Sequence, residues 1–164
     1  MQDTTNQIID FVRSIGIPVT IGSVPDDTVL PGMIIKNGGL LIDPEKLLYP
    51  GDILHEAGHL AVAPPESRAA MDGALDPNSD QAISEELMSI PWSYAACLYL
   101  GLEPTVVFHP DGYHGGGKSI IENFSQGRYF GIPMLQWVGL TLDEKNAAEK
   151  NLPPFPHMLK WVRE

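Results

Sequence analysis

Apolar residues recur at helical spacing near the start of the chain. Ile8, Phe11, Val12 and Ile15 fall on one face of a helix over residues 4–15, and Gly16 then Pro18 stop it. The rhythm then changes. "IPVTIGSV" reads as a short strand. "MIIKNGGLLID" reads as two strands joined at Asn37-Gly38, a pair favoured in tight hairpin turns. Asp43-Pro44 and Tyr49-Pro50-Gly51 punctuate the chain after the hairpin. A helix capped by Asp52 is predicted to run to about Ala63, where Pro64-Pro65 ends it. Residues 64–78 read as a loop. Ser79 or Asp80 opens a longer helix that ends near Gly101, with Pro91 inside it as a kink point. "TVVFH" at 105–109 reads as a strand, residues 111–117 as a glycine-rich loop, and "SIIENF" as a short helix. The part from Ile132 is less regular. Thr141 and Glu144 fit a capping box for a modest helix, residues 152–156 read as a loop, and the last eight residues are compatible with a helix. The order α-β-β-β-α-α-β-α predicts one α+β domain over residues 1–164, with a small sheet beside central helices.

Charge and composition narrow the partners. A chain of 164 residues can bury a core of its own. Its net charge of -11 would repel nucleic acid and anionic membranes, so neither is expected as a partner. No run of about eighteen apolar residues predicts a transmembrane helix, and "MQDTTNQIIDFVRSIGIP" has no leader pattern. The single cysteine, Cys97, lies in "SYAACLYLG" and reads as a buried structural thiol, compatible with a reducing cytoplasm.

The candidate chemistry lies in "GDILHEAGHLAVAPP". Residues i and i+4 of a helix sit one above the other, so His55 and His59 present two imidazoles to one metal ion. Glu56 stands beside them, one step round the helix, within reach of a water on that ion. Two ligands and a general base are the content of the H-E-x-x-H pattern. Gly58 lets another backbone or a ligand come close. A catalytic zinc takes a third protein ligand and keeps a position open. The helix after it offers Glu85 and Glu86 among Ile83, Leu87 and Ile90. One would be the ligand and its neighbour a hydrogen-bonding support, with Glu86 ahead of Glu85; an acidic pair near a helix N-terminus is also favoured by the dipole alone.

"GGLLIDPEKLLYPGDILHEAGHLAV", succeeded by a helix with an acidic pair, resembles the minimal zincin core, and within it the ImmA/IrrE type of small metallopeptidase. The resemblance covers roughly residues 5–100 and rests on the hairpin strand, the H-E-x-G-H signature and the later glutamate. It implies a minimal zincin-like fold and one zinc ion, with His55, His59 and Glu86 as ligands and Glu56 as base. It also implies a peptide or protein substrate, an extended peptide pairing with an exposed edge strand. Manganese, iron and cobalt accept the same donors.

"GYHGGGKS" at residues 112–119 satisfies the phosphate-binding pattern G-x-x-x-x-G-K-S. A nucleotide-binding domain needs several β-α units after that loop, whereas the chain beyond Ser119 is short and holds four prolines. A flexible loop over the metal site is the preferred reading. It carries His109, Tyr113 and His114. Tyr113 or His109 could donate a hydrogen bond to a developing oxyanion, and His109 or His114 is an alternative ligand. The sequence thus points to a zinc-dependent hydrolase, with a catalytically silent metal-bound binding module as the alternative.

Overall fold

The computed structural model describes residues 1–73 and 78–164. Helix α1 (Gln2–Ser14) buries Ile8, Ile9, Phe11 and Val12. Strands β1 (Val19–Ile21), β2 (Met33–Lys36) and β3 (Gly39–Ile42) form a mixed sheet in the order β1-β3-β2. β2 and β3 are the expected hairpin, antiparallel with Lys36 opposite Gly39. Asn37 and Gly38 both take positive φ, 50° and 75°, as a tight primed turn requires. β1 lies parallel to β3 on its other side.

Helix α2 (Asp52–Val62) is the centre of the molecule and touches α1, α4, β2 and β3. Ile53, Leu54, Ala57, Leu60, Ala61 and Val62 are buried, so it is packed against its neighbours on most sides. A short helix α3 (Pro65–Arg68) comes next, then α4 (Asp80–Tyr99), whose N-cap Ser79 accepts a hydrogen bond from the Ala82 amide. Gly58 explains how α2 and α4 pack. A Cβ there would lie 3.2 Å from Ser89 Cβ, Ser89 O and Trp92 Cε3, so the bare glycine lets α4 lie against α2. α4 continues through Pro91, which leaves the Leu87 carbonyl without its usual helical donor. Gly131 comes so close there that a Cβ would be 2.1 Å from that oxygen. Helices α5 (Gly117–Ser125), α6 (Ile132–Trp137) and α7 (Glu144–Lys150) complete an α+β fold. Among the described residues no helix is long and apolar enough to cross a membrane.

Several local expectations give way. Asp52 does not cap α2; its carboxylate turns to His109 instead. Residues 64–73 include α3, and residues 74–77 of the expected loop lie outside the described residues. "TVVFH" is a 3-10 turn (Pro104–Val106) leading into irregular chain, with Val107 and Phe108 buried. Their burial satisfies the apolar residues without a sheet partner. Thr141 donates its hydroxyl to the His157 carbonyl, and Asp143 caps α7 by accepting from the Asn146 amide. The last eight residues are not helical. Met158 bridges to Thr141, and the Leu159 amide reaches the Leu140 carbonyl.

The end of this tail holds α2 in place. Arg68 donates to the Leu60, Ala63 and Arg163 carbonyls at 2.7, 3.0 and 2.6 Å. The Arg163 amide donates to the Ala61 carbonyl at 2.8 Å, and its guanidinium to Val62 O at 3.3 Å. Two cations thus occupy the negative end of the helix dipole and satisfy carbonyls left free there.

Candidate metal centre

α2 and α4 bring three polar side chains to one place. His55 Nε2 and His59 Nε2 lie 3.3 Å apart. Glu86 Oε2 is 2.9 Å from His59 Nε2 and 3.7 Å from His55 Nε2. Metal–ligand bonds of about 2.0–2.2 Å in a tetrahedral shell separate two ligand atoms by roughly 3.3–3.6 Å. The three observed edges scatter around that value, so one ion fits over the triangle. Among the described residues, His55, His59 and Glu86 are the group of His, Cys, Asp or Glu side chains with this convergence.

The surrounding groups fix the two rings. Tyr113 Oη is 2.9 Å from His55 Nδ1. With Nε2 kept free as a donor atom, the neutral His55 ring carries its hydrogen on Nδ1 and gives it to the tyrosine oxygen. Glu85 is buried on the far side of His59. Its Oε1 accepts from Gln81 Nε2 at 2.9 Å, and its Oε2 lies 3.8 Å from His59 Nδ1 without a hydrogen bond. A carboxylate behind a histidine ring is the usual support of a metal-binding imidazole. Glu56 stands outside the triangle, with Oε1 4.0 Å from His55 Nε2.

Electrostatics separate the two histidines. Burial, then the neighbouring His59, push His55 down to about 4. Burial also works against charge on His59, but the Glu85 and Glu86 carboxylates outweigh it and push the ring up to about 10. Glu86 is itself held below its ordinary value: burial opposes this, and the two histidines overcome it. Burial raises Glu56, with His59 acting against the shift. Burial and nearby carboxylates keep the Tyr113 phenol protonated well above its ordinary range.

No family model, no curated protein and no solved structure matches this chain. The chemistry of the site therefore rests on its own geometry.

His109 is not in the triangle. Its Nε2 meets Asp52 Oδ1 at 2.8 Å, both side chains buried, and its ring stacks on Tyr49 at 3.7 Å. Tyr49 in turn donates to Asp111. These contacts tie the 109–116 segment to the first turn of α2. Tyr113 and His114 have left-handed φ of 53° and 51°, an uncommon conformation for side-chain-bearing residues that costs roughly 1–2 kcal/mol each. It delivers the Tyr113 hydroxyl to His55, while His114 lines the cavity beside Glu86. The loop is not arranged around a phosphate. The Gly112, Gly115 and Gly116 amides are bonded to His109, Gly112 and Tyr113 carbonyls. A Cβ on Gly117 would lie 2.5 Å from Phe108 O, so that glycine serves packing. Tyr49 and Gln81 carry no signal of this role in the sequence pattern. Asp52 carried a signal, but one that also fits a helix cap. Cys97 is buried and pushed up to about 12 by burial, which makes it inert as a nucleophile.

Proposed function

We propose that the chain is a metal-dependent hydrolase of the zincin type, with zinc as its ion and a peptide or protein as its substrate. The observation that carries this reading is the triangle of His55 Nε2, His59 Nε2 and Glu86 Oε2, with the Glu56 carboxylate beside it and outside it. His55, His59 and Glu86 would hold a divalent ion, which would supply a Lewis acid and make a water at the site more acidic. Two imidazoles and one carboxylate suit zinc, and also manganese, iron or cobalt.

The chain's own residues perform the remaining work. Glu56 accepts the proton of the attacking water and returns it to the leaving amine. Tyr113 accepts from His55 and keeps its own hydrogen for the oxygen that develops charge. Glu85 places a negative charge behind His59, and the His109–Asp52 pair holds the loop that carries Tyr113.

The test is Glu56→Gln, which cannot accept a proton at neutral pH but removes no ligand. The expected variant keeps stoichiometric zinc and loses peptide hydrolysis by at least about 10²- to 10⁴-fold. Hydrolysis at the parent's rate would exclude this chemistry. A parent that holds zinc yet cleaves nothing in broad peptide libraries would make the chain a metal-bound binding module instead.

A further inference from the structure

The triangle opens on a cavity of about 570 Å³. Glu56, His59 and Glu86 form its polar end. The remaining walls are largely apolar: Ile35 from β2, Val29 and Met71 from the connections, and Ile83 and Leu87 from α4. Ile83 and Leu87 lie one turn apart and are 51% and 40% exposed. Large apolar side chains at i and i+4, kept in contact with water beside polar chemistry, mark a surface meant to be covered.

The main chain nearby offers less. β2 is an edge strand, where an extended peptide could add as a further strand. Met33 and Ile35 turn their polar groups to that edge. The Ile35 carbonyl already accepts from the Gly73 amide at 2.8 Å, and the Met33 amide reaches the Leu30 carbonyl at 3.4 Å. Strand addition there would have to displace the chain's own contacts. Recognition therefore falls on a side chain entering the cavity.

Resting on the hydrolase reading above, we propose that this cavity is the specificity subsite. It takes a large apolar side chain next to the bond that is cleaved, and Ile83 and Leu87 are its specificity-determining residues. The apolar class comes from the walls, and the volume leaves room for a large side chain. The position comes from the shared wall, because His59 and Glu86 of the triangle line the same cavity as Ile83 and Leu87. The carboxylates of Glu56, Glu85 and Glu86 in the cavity's lining disfavour an acidic side chain in the same place.

Three hydroxamates test this on the zinc-loaded protein by calorimetry. Acetohydroxamate grips the ion alone, 4-methylpentanohydroxamate adds a leucine-like tail, and succinic monohydroxamate adds an acidic one. The branched probe is expected to bind on the order of 10- to 100-fold tighter than acetohydroxamate, as its extra carbons leave water. The acidic probe is expected to bind more weakly than acetohydroxamate. In the Ile83→Ser/Leu87→Ser double variant the branched probe should lose its advantage to within about threefold. Zinc content and acetohydroxamate affinity should stay as in the parent, which also reports that the variant is folded. Equal affinities for the branched probe and acetohydroxamate in the parent, or a full advantage kept in the double variant, would overturn the subsite. Failure of acetohydroxamate to bind a protein that holds zinc would remove the open metal position, and with it the hydrolase reading itself.

Discussion

Gly58→Ala should harm the metal centre more than the fold. The added Cβ would meet Ser89 Cβ, Ser89 O and Trp92 Cε3, each at 3.2 Å. Carbon atoms sit comfortably at about 3.5–4.0 Å, and neither Ser89 atom can rotate away. The two helices must part by a few tenths of an ångström. Overpacking of this kind costs about 1–3 kcal/mol, and the better helix propensity of alanine offsets about 0.8–1 kcal/mol. The net loss is on the order of 0–2 kcal/mol, a fall in melting temperature of up to about 8 °C for a domain of this size. The site is less forgiving. His55 and His59 ride on α2 and Glu86 on α4, so parting the helices stretches the 2.9 and 3.7 Å edges of the triangle. Metal–ligand distances tolerate only about 0.2 Å. Zinc affinity should fall roughly 10- to 100-fold, the usual cost of disturbing a ligand's support. The assay is a zinc competition titration against a chromophoric chelator, paired with thermal unfolding of the metal-free protein. A lowered melting temperature with unchanged zinc affinity would refute the claim that helix spacing sets the site.

Glu86→Gln should weaken zinc binding far more than Glu85→Gln, which should cost about 10- to 100-fold in the same titration; equal affinities for both variants and the parent would remove Glu86 from the site. Zinc affinity should rise about tenfold per pH unit between pH 6 and 8, because the ion displaces a proton from His59, whose pKa is about 10, and none from His55 at about 4; titrations at three pH values check this, and a flat profile contradicts it. The same raised His59 value stabilises the metal-free fold fully below its unfolded value of about 6.5, and this contribution is lost as pH rises through about 10. Replacing Arg163 with Ala should remove its guanidinium contact with the end of α2 and lower stability by about 1 kcal/mol, read from urea unfolding.

The helix that carries the candidate site was legible because its signals are local. Pro-Gly before it, Pro-Pro after it, and two histidines four apart all lie within a short stretch of chain. The hairpin was legible for the same reason, since Asn37-Gly38 is a conformational requirement written in adjacent residues. Glu85 and Glu86 could be nominated as a charged pair in an apolar stripe. Their division of labour depends on which face of α4 meets α2, and Gly58 and Ser89 settle that in space. "TVVFH" misled because β-branched and aromatic residues are also what a buried irregular segment needs. Pro104 and Pro110 at its flanks were the weaker, correct signal. Tyr113 meets His55 across 58 positions, through two left-handed residues that no periodicity encodes. Thr141 failed as a cap because His157, sixteen residues on, competes for its hydroxyl.

The arginine clasp on α2 has a consequence for the order in which the molecule is made. Val62 and the Arg163 side chain that caps it are 101 positions apart. At about 5–20 residues per second, a ribosome needs roughly 5–20 seconds to supply the second after the first. During that interval both histidines have been synthesised, but their helix lacks its final fastening. The Arg163 clasp is thus among the last contacts of α2 to become possible during synthesis.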